Sequence, residues 1–262
     1  MTAGSPVAGS PVTGSPVVGS GDHRVLVLHG WFGSALGWGS LPGYLDGTAY
    51  TYAFMDLRGY GGRQQVSGEF TMEEAAADAI ELADQLGWDR FSLVGHSMSG
   101  VAIQLAALQA PDRVRRLVGI NPVPATGVPL DAAGWELFSG AAASSDNRAA
   151  IISFSTGARP SSTFVSSVVR HSLENSTAEA FGAYLPSWAK ADFADRVRGR
   201  ESAVKVIVGE NDPALPGQLM EETWLTFYPN SELEVLRGAG HYPMLETPVA
   251  LAASIEEFLG RD

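Results

Sequence analysis

Val94-Gly95-His96-Ser97-Met98-Ser99-Gly100 decides how this chain is read. An apolar run, Phe91-Ser92-Leu93-Val94, precedes it, and a helical stretch over residues 101–110 follows. A strand therefore turns into a helix with a serine at the junction and a small residue two places to each side. This is the pattern of a nucleophile elbow. The turn is so sharp that bulky side chains at positions 95 or 99 would clash. It raises the Ser97 hydroxyl clear of the sheet, at a helix N-terminus whose dipole favours a nearby oxyanion.

Outward from the elbow, strand and helix signals alternate. Residues 24–29 and 51–57 read as buried strands, followed by the loops Gly30-Trp31-Phe32-Gly33 and Arg58-Gly59-Tyr60-Gly61-Gly62. Residues 71–86 read as a helix. Thr71 and Glu74 match a capping box, Met72, Ala75, Ala79 and Ala83 share a face, and Gly87 stops it. Residues 117–120 read as a strand. From 125 to 199 no strand pattern occurs, and short helical stretches carry many aromatic residues. Alternation resumes with a strand at 203–208, a helix near 218–227, a strand at 232–236 and a last helix with Thr247 as N-cap and Pro248 in its first turn.

Repeated βα units imply an α/β fold: a mostly parallel sheet flanked by helices, with a helical cap inserted between two late strands. The expected layout is a core of residues 24–124 and 200–262, a cap of 125–199, and a tail of 1–23. In the tail, Gly4-Ser5-Pro6-Val7 recurs from Gly9 and from Gly14. A proline every fifth residue excludes helix, so the tail reads as extended or polyproline-like.

A serine hydroxyl becomes a nucleophile only beside a base that a carboxylate orients. In this architecture the order is serine, acid, histidine, each on a loop after a strand. Gly209-Glu210-Asn211-Asp212-Pro213 follows one late strand and offers Asp212, with Glu210 as runner-up. Arg237-Gly238-Ala239-Gly240-His241-Tyr242-Pro243 follows the next and offers His241. Two backbone N–H groups are needed for the oxyanion. Met98, directly after the nucleophile, and Trp31, in the loop after the first strand, are the candidates. His29, His96 and His171 read as structural, and Asp56 as the anchor of a turn held by an Asp–Arg interaction. Trp31, Phe32, Trp135, Phe138, Phe154, Tyr184 and Trp188 are the candidate substrate-binding aromatics.

Composition narrows the chemistry. The formal net charge of −12 opposes a nucleic-acid surface or an anionic membrane. There is no cysteine, so disulfides, thiolate nucleophiles and zinc–thiolate sites are excluded. The five histidines show no close ligand spacing, and no metal or cofactor is expected. No signal-peptide pattern or membrane-length apolar run occurs, so the expected location is cytoplasmic. Nothing in the chain sets an oligomeric state.

With Ser97, Asp212, His241 and His29-Gly30-Trp31 placed, the chain from about residue 24 onward resembles the α/β-hydrolase superfamily. In style it is closest to the small capped bacterial members: carboxylesterases, lactonases, carbon–carbon bond hydrolases and cofactor-free haloperoxidase-like enzymes. Asp56-Leu57-Arg58-Gly59-Tyr60-Gly61 and Gly240-His241-Tyr242-Pro243 match that style. Ser99 stands where the family usually has glycine, and Gly62-Arg63 where relatives often have serine. The repeat occupies the place of two usual N-terminal strands, which leaves about six parallel strands. Relatives that open epoxides or remove halide carry aspartate in place of Ser97, so the resemblance disfavours both activities. It implies hydrolysis of a small to medium apolar ester or lactone through an acyl-enzyme on Ser97. Two alternatives stand beside it. One is carbon–carbon bond hydrolysis, which needs a cationic anchor such as Arg159, Arg170, Lys190 or Arg196. The other is a ligand-binding or signalling role with weak turnover.

Overall fold

A computed structural model describes residues 15–261. Seven strands form a single sheet: β1 (Val17–Gly19), β2 (His23–Leu28), β3 (Tyr50–Met55), β4 (Phe91–His96), β5 (Val114–Ile120), β6 (Ala203–Gly209) and β7 (Ser231–Leu236). Their order is β1-β3-β2-β4-β5-β6-β7. β2 to β7 run parallel to their neighbours, and β1 pairs antiparallel with β3. Successive residues of β2, Val25 to Leu28, and all six of β4 are buried. Neighbouring residues on a strand face opposite ways, so both faces of the sheet are covered. Continuous apolar runs rather than alternation are the sequence mark of that arrangement.

Strand β1 revises the expectation for the tail. Val17, Val18 and Gly19 pair with Ala53, Tyr52 and Thr51, so the end of the repeat supplies a seventh, antiparallel edge strand beside six parallel ones. The repeats that begin at Gly4 and Gly9 lie outside the described residues.

Helix α1 (Met72–Gln85) crosses from β3 to β4, and α2 (Ser99–Gln109) leaves β4 at the elbow. Thr71 accepts the Glu74 N–H at 3.2 Å, but the Glu74 carboxylate takes the Phe70 amide and pairs with Arg58. Only half of the expected capping box exists. Five helices lie between β5 and β6: α3 (Ala132–Gly140), α4 (Ser145–Ser155), α5 (Ser162–Glu174), α6 (Ala178–Ala189) and α7 (Ala194–Val197). Asp131, Ser144, Ser161 and Thr177 each accept the amide three residues on and so start the first four. Such a cap is worth about 1 kcal/mol.

The expected helix near 218–227 is two short ones, α8 (Gly217–Glu222) and α9 (Trp224–Phe227), broken at Thr223 with ψ −87°. A further turn, α10 (Pro243–Glu246), precedes the last helix, α11 (Pro248–Leu259). Thr247 precedes α11 without a side-chain capping bond, and its hydroxyl is buried without a partner. Tyr50 and Tyr52 on β3 both donate to Glu256, which fixes α11 against the far side of the sheet order from β7.

The chain leaves β2 for β3 on one side and returns to β4 on the other. The order therefore reverses between β2 and β4. In open parallel sheets the ligand crevice lies outside the strand carboxyl ends at that point. The loop of residues 29–33 ends β2 there, and Ser97 ends β4.

Candidate active site

Ser97 holds φ +53°, a left-handed conformation that is costly for a residue with a Cβ and persists only where the surroundings enforce it. Its N–H donates to the Ile120 carbonyl at 3.0 Å, and its carbonyl accepts from Gly100 and Val123. The elbow is thus clamped by β5 and by its own helix. Ser99 donates its hydroxyl to the His29 carbonyl at 2.6 Å. The serine that departs from the family glycine therefore ties the elbow helix to the β2 loop.

The acid and base loops follow β6 and β7 and touch each other. A Cβ on Gly209 would lie 2.0 Å from the Gly240 carbonyl, so only glycine lets the two loops meet. His241 Nε2 lies 3.0 Å from Ser97 Oγ, and His241 Nδ1 lies 2.6 Å from Asp212 Oδ2. A carboxylate can only accept here, so Nδ1 carries the proton and Nε2 is left to accept from the serine. Asp212 is itself held: Oδ1 accepts the Ala214 N–H at 2.9 Å, and Oδ2 accepts the Asn121 amide at 2.7 Å. Glu210, the runner-up, points elsewhere and accepts the Gly238 N–H at 3.1 Å.

Asn121 was not among the expected residues. It follows β5 directly and holds φ +43°. Its partner lies 91 positions away, beyond any local pattern. Ser155 is a second unforeseen contact, since its carbonyl accepts the His241 N–H at 3.2 Å.

The other histidines support rather than complete this line. His96 donates from Nε2 to the His241 carbonyl at 2.8 Å. Burial, and then His241 beside it, hold its pKa well below the usual histidine value, so it stays neutral. His29 accepts the Leu57 N–H at 3.2 Å and joins the ends of β2 and β3; burial lowers its pKa too. His171 pairs with Ser34 across 3.0 Å. The Asp56 carboxylate accepts the N–H groups of Ala35 and Gly62, and the expected Asp–Arg interaction runs through the main chain, where Arg63 donates to the Asp56 carbonyl at 3.2 Å. Arg58 and Arg63 both pair with Asp78.

The N–H groups of Trp31 and Met98 have no acceptor among the described residues. Trp31 is fixed by its indole N–H, which donates to the Phe181 carbonyl at 2.7 Å, and by Tyr60, whose hydroxyl donates to the Trp31 carbonyl at 3.0 Å. Gly30 passes so close to the elbow that a Cβ there would lie 2.4 Å from His96 and 3.0 Å from the Ser97 Cβ.

Ser97 and His241 border a cavity of about 380 Å³. Its wall is largely apolar, with Leu130, Leu137, Ile151 and Val123 among the contributors. Of the expected aromatics, Trp31, Phe32, Phe138, Phe154 and Trp188 line it. Trp135 and Tyr184 do not. Lys190 lies over the Trp135 ring at 4.3 Å, and Tyr184 is fully buried against Tyr60 and Phe70. Among the described residues, no lysine or arginine lines the cavity. Among the described residues, no cluster of three His, Cys, Asp or Glu could hold a metal. None of the described helices is long and apolar enough to cross a membrane.

The sequence model of the Alpha/beta hydrolase family matches residues 25–254. The chain belongs to that family. This alpha/beta hydrolase is 26% identical over 214 residues to 3-oxoadipate enol-lactonase 2 of Acinetobacter baylyi, covering 79% of the chain and 77% of the relative. It is 26% identical to a 2-hydroxy-6-oxononadienedioate/2-hydroxy-6-oxononatrienedioate hydrolase of Paraburkholderia phymatum, covering 92% and 88%. Among solved structures, a thermophilic esterase from Thermogutta terrifontis superposes with a TM-score of 0.79 at 25% identity, covering 94% and 92%.

Proposed function

We propose that this hydrolase cleaves a carboxylic ester or lactone of a small to medium apolar substrate through an acyl-enzyme on Ser97. One observation carries the proposal: the continuous line Ser97–His241–Asp212, at 3.0 and 2.6 Å, opens into an apolar cavity. Ser97 Oγ attacks the carbonyl carbon while its proton passes to His241 Nε2. The new negative charge falls on the carbonyl oxygen, where the N–H groups of Trp31 and Met98 receive it. Removal of one such donor costs about 3 kcal/mol of barrier. Protonated His241 then gives the proton to the departing alkoxide, and Asp212 stabilises the imidazolium meanwhile. Water, deprotonated by His241, attacks the acyl-enzyme; His241 returns that proton to Ser97 Oγ as its bond to the acyl carbon breaks, and the acid leaves.

The wall of the cavity favours this reading over the carbon–carbon alternative. The Paraburkholderia relative is named for a dioate, a dianion at neutral pH. Burying carboxylates without a cation is strongly unfavourable. Arg159, Arg170, Lys190 and Arg196, the anchors considered from the sequence, are all absent from the lining.

The test is hydrolysis of a series of p-nitrophenyl esters by the wild type and by Ser97→Ala. Turnover that the substitution abolishes is the expected result, with a chain-length optimum set by the cavity. A folded wild type that turns over no ester or lactone overturns the proposal.

A further inference from the structure

Arg148 is an anomaly. It lies on α4, is 1% exposed, and has no carboxylate within 4 Å among the described residues. Its three hydrogen bonds go to neutral oxygens: the Ala141 carbonyl at 2.8 Å, Ser172 Oγ at 2.9 Å and Ser176 Oγ at 3.5 Å. A buried charge without a counter-ion is a standing cost to folding, and an apolar side chain of similar volume avoids it. What the cation faces instead is a π-system. The guanidinium carbon sits 3.7 Å from the centre of the Phe181 ring. The opposite face of that ring stacks on Trp31, with centroids 4.1 Å apart and planes at 17°. Two groups this close to one ring centre cannot share a face, so Arg148, Phe181 and Trp31 form a sandwich.

From this geometry we infer that Arg148 is a positioning residue for the oxyanion site, holding the Trp31 N–H through Phe181. The inference rests on the proposed function. Trp31 is held by its indole N–H on the Phe181 carbonyl, by its carbonyl under the Tyr60 hydroxyl, and by its ring, which stacks most closely on Phe181 and also meets Phe32, Phe138 and Trp188. Phe181 supplies both the indole acceptor and the nearest stacking partner. Cation–π attraction holds the Phe181 ring in place. The guanidinium donors meanwhile join α4 to the residue after α3 and to α5. The helices between β5 and β6 thereby set the backbone of the β2 loop. A donor misplaced by a fraction of an ångström loses much of its effect on the transition state while leaving ground-state binding intact.

The experiment compares wild type, Arg148→Met and Arg148→Lys on the best p-nitrophenyl ester, together with an alkylboronic acid. The boronic acid forms a tetrahedral adduct with a serine oxygen and carries negative charge where the oxyanion forms. Arg148→Met is expected to lower kcat about tenfold, leave KM within twofold, and weaken the boronic acid by the same factor as kcat. Arg148→Lys is expected to restore most of both, because it keeps the cation. If Arg148→Met does not fold, Arg148→Gln, which keeps N–H donors for Ala141 and Ser172, carries the same expectation. Unchanged kcat in the neutral variants, or a loss confined to KM, overturns the inference. So does a fall in kcat that boronic acid binding does not follow. A wild type without Ser97-dependent turnover removes the proposed function, and this inference with it. Turnover that the neutral variants retain removes this inference alone.

Discussion

Ser97 is held at φ +53° by a donor bond to Ile120 and acceptor bonds from Gly100 and Val123, which set its hydroxyl 3.0 Å from His241. The same logic reaches Asn121, whose amide orients Asp212. A hydrogen bond to a charged group contributes about 1.5–3 kcal/mol, so Asn121→Gly, which tolerates the positive φ, is expected to lower kcat by roughly ten- to a hundredfold with KM little changed. Steady-state kinetics on one p-nitrophenyl ester checks this. The residues Ser97, Asp212 and His241 were legible because each sits in a short signature after an apolar run. Asn121 was not, because an asparagine after a strand has no local mark and its partner is remote. Asp56 was legible only in part. Arg58 and Arg63 follow it in sequence, yet Arg63 reaches only its backbone carbonyl, and backbone N–H groups from two separate loops satisfy its carboxylate.

At the level of elements, the helices between β5 and β6 decide the size of the cavity. α6 shows why their aromatics could not be sorted from sequence. Phe181, Tyr184 and Trp188 lie on one helical face. Phe181 and Trp188 meet Trp31, whereas Tyr184 packs on Tyr60 and Phe70. Helical periodicity identifies a buried face but not whether that face meets protein or a cavity. Two neighbours on α3 separate the cases. Leu137 lines the cavity and Trp135 lies under Lys190. Leu137→Trp is therefore expected to move the ester chain-length optimum to shorter acyl groups, and Trp135→Leu to leave it in place. An unchanged profile in Leu137→Trp contradicts the assignment of the cavity. Strand β1 escaped notice for another reason. Three residues are too few for a periodic signal, and their pairing with β3 is a tertiary contact.

For the whole molecule, the mostly parallel sheet was legible from the alternation of strands and helices, whereas the strand order is set by tertiary pairing that no local pattern carries. Stability carries a further consequence of burial. His23 has its pKa lowered to about 4, first by burial and then by Arg115 and Arg116. Above pH 6.5 neither the folded nor the unfolded chain carries charge there, and the group is neutral in its effect. As pH falls from about 6.5 to 4 the unfolded chain takes up a proton that the folded chain refuses, so stability is lost over that window. His29 and His96 act in the same direction. His23→Gln is expected to flatten part of the fall in urea midpoint between pH 6.5 and 4, and an identical slope in the variant refutes the assignment. The central claim is that Ser97 is the nucleophile, activated by His241. Its most direct measurement is reaction with a p-nitrophenyl alkylphosphonate, followed by p-nitrophenol release and peptide mass mapping. In that reaction Ser97 Oγ bonds to phosphorus, p-nitrophenolate leaves, and the hydroxyl proton passes to His241. One equivalent of p-nitrophenol and a single adduct on Ser97, both lost in His241→Ala, is the predicted result. An adduct on another residue, or none on a folded protein, contradicts the account.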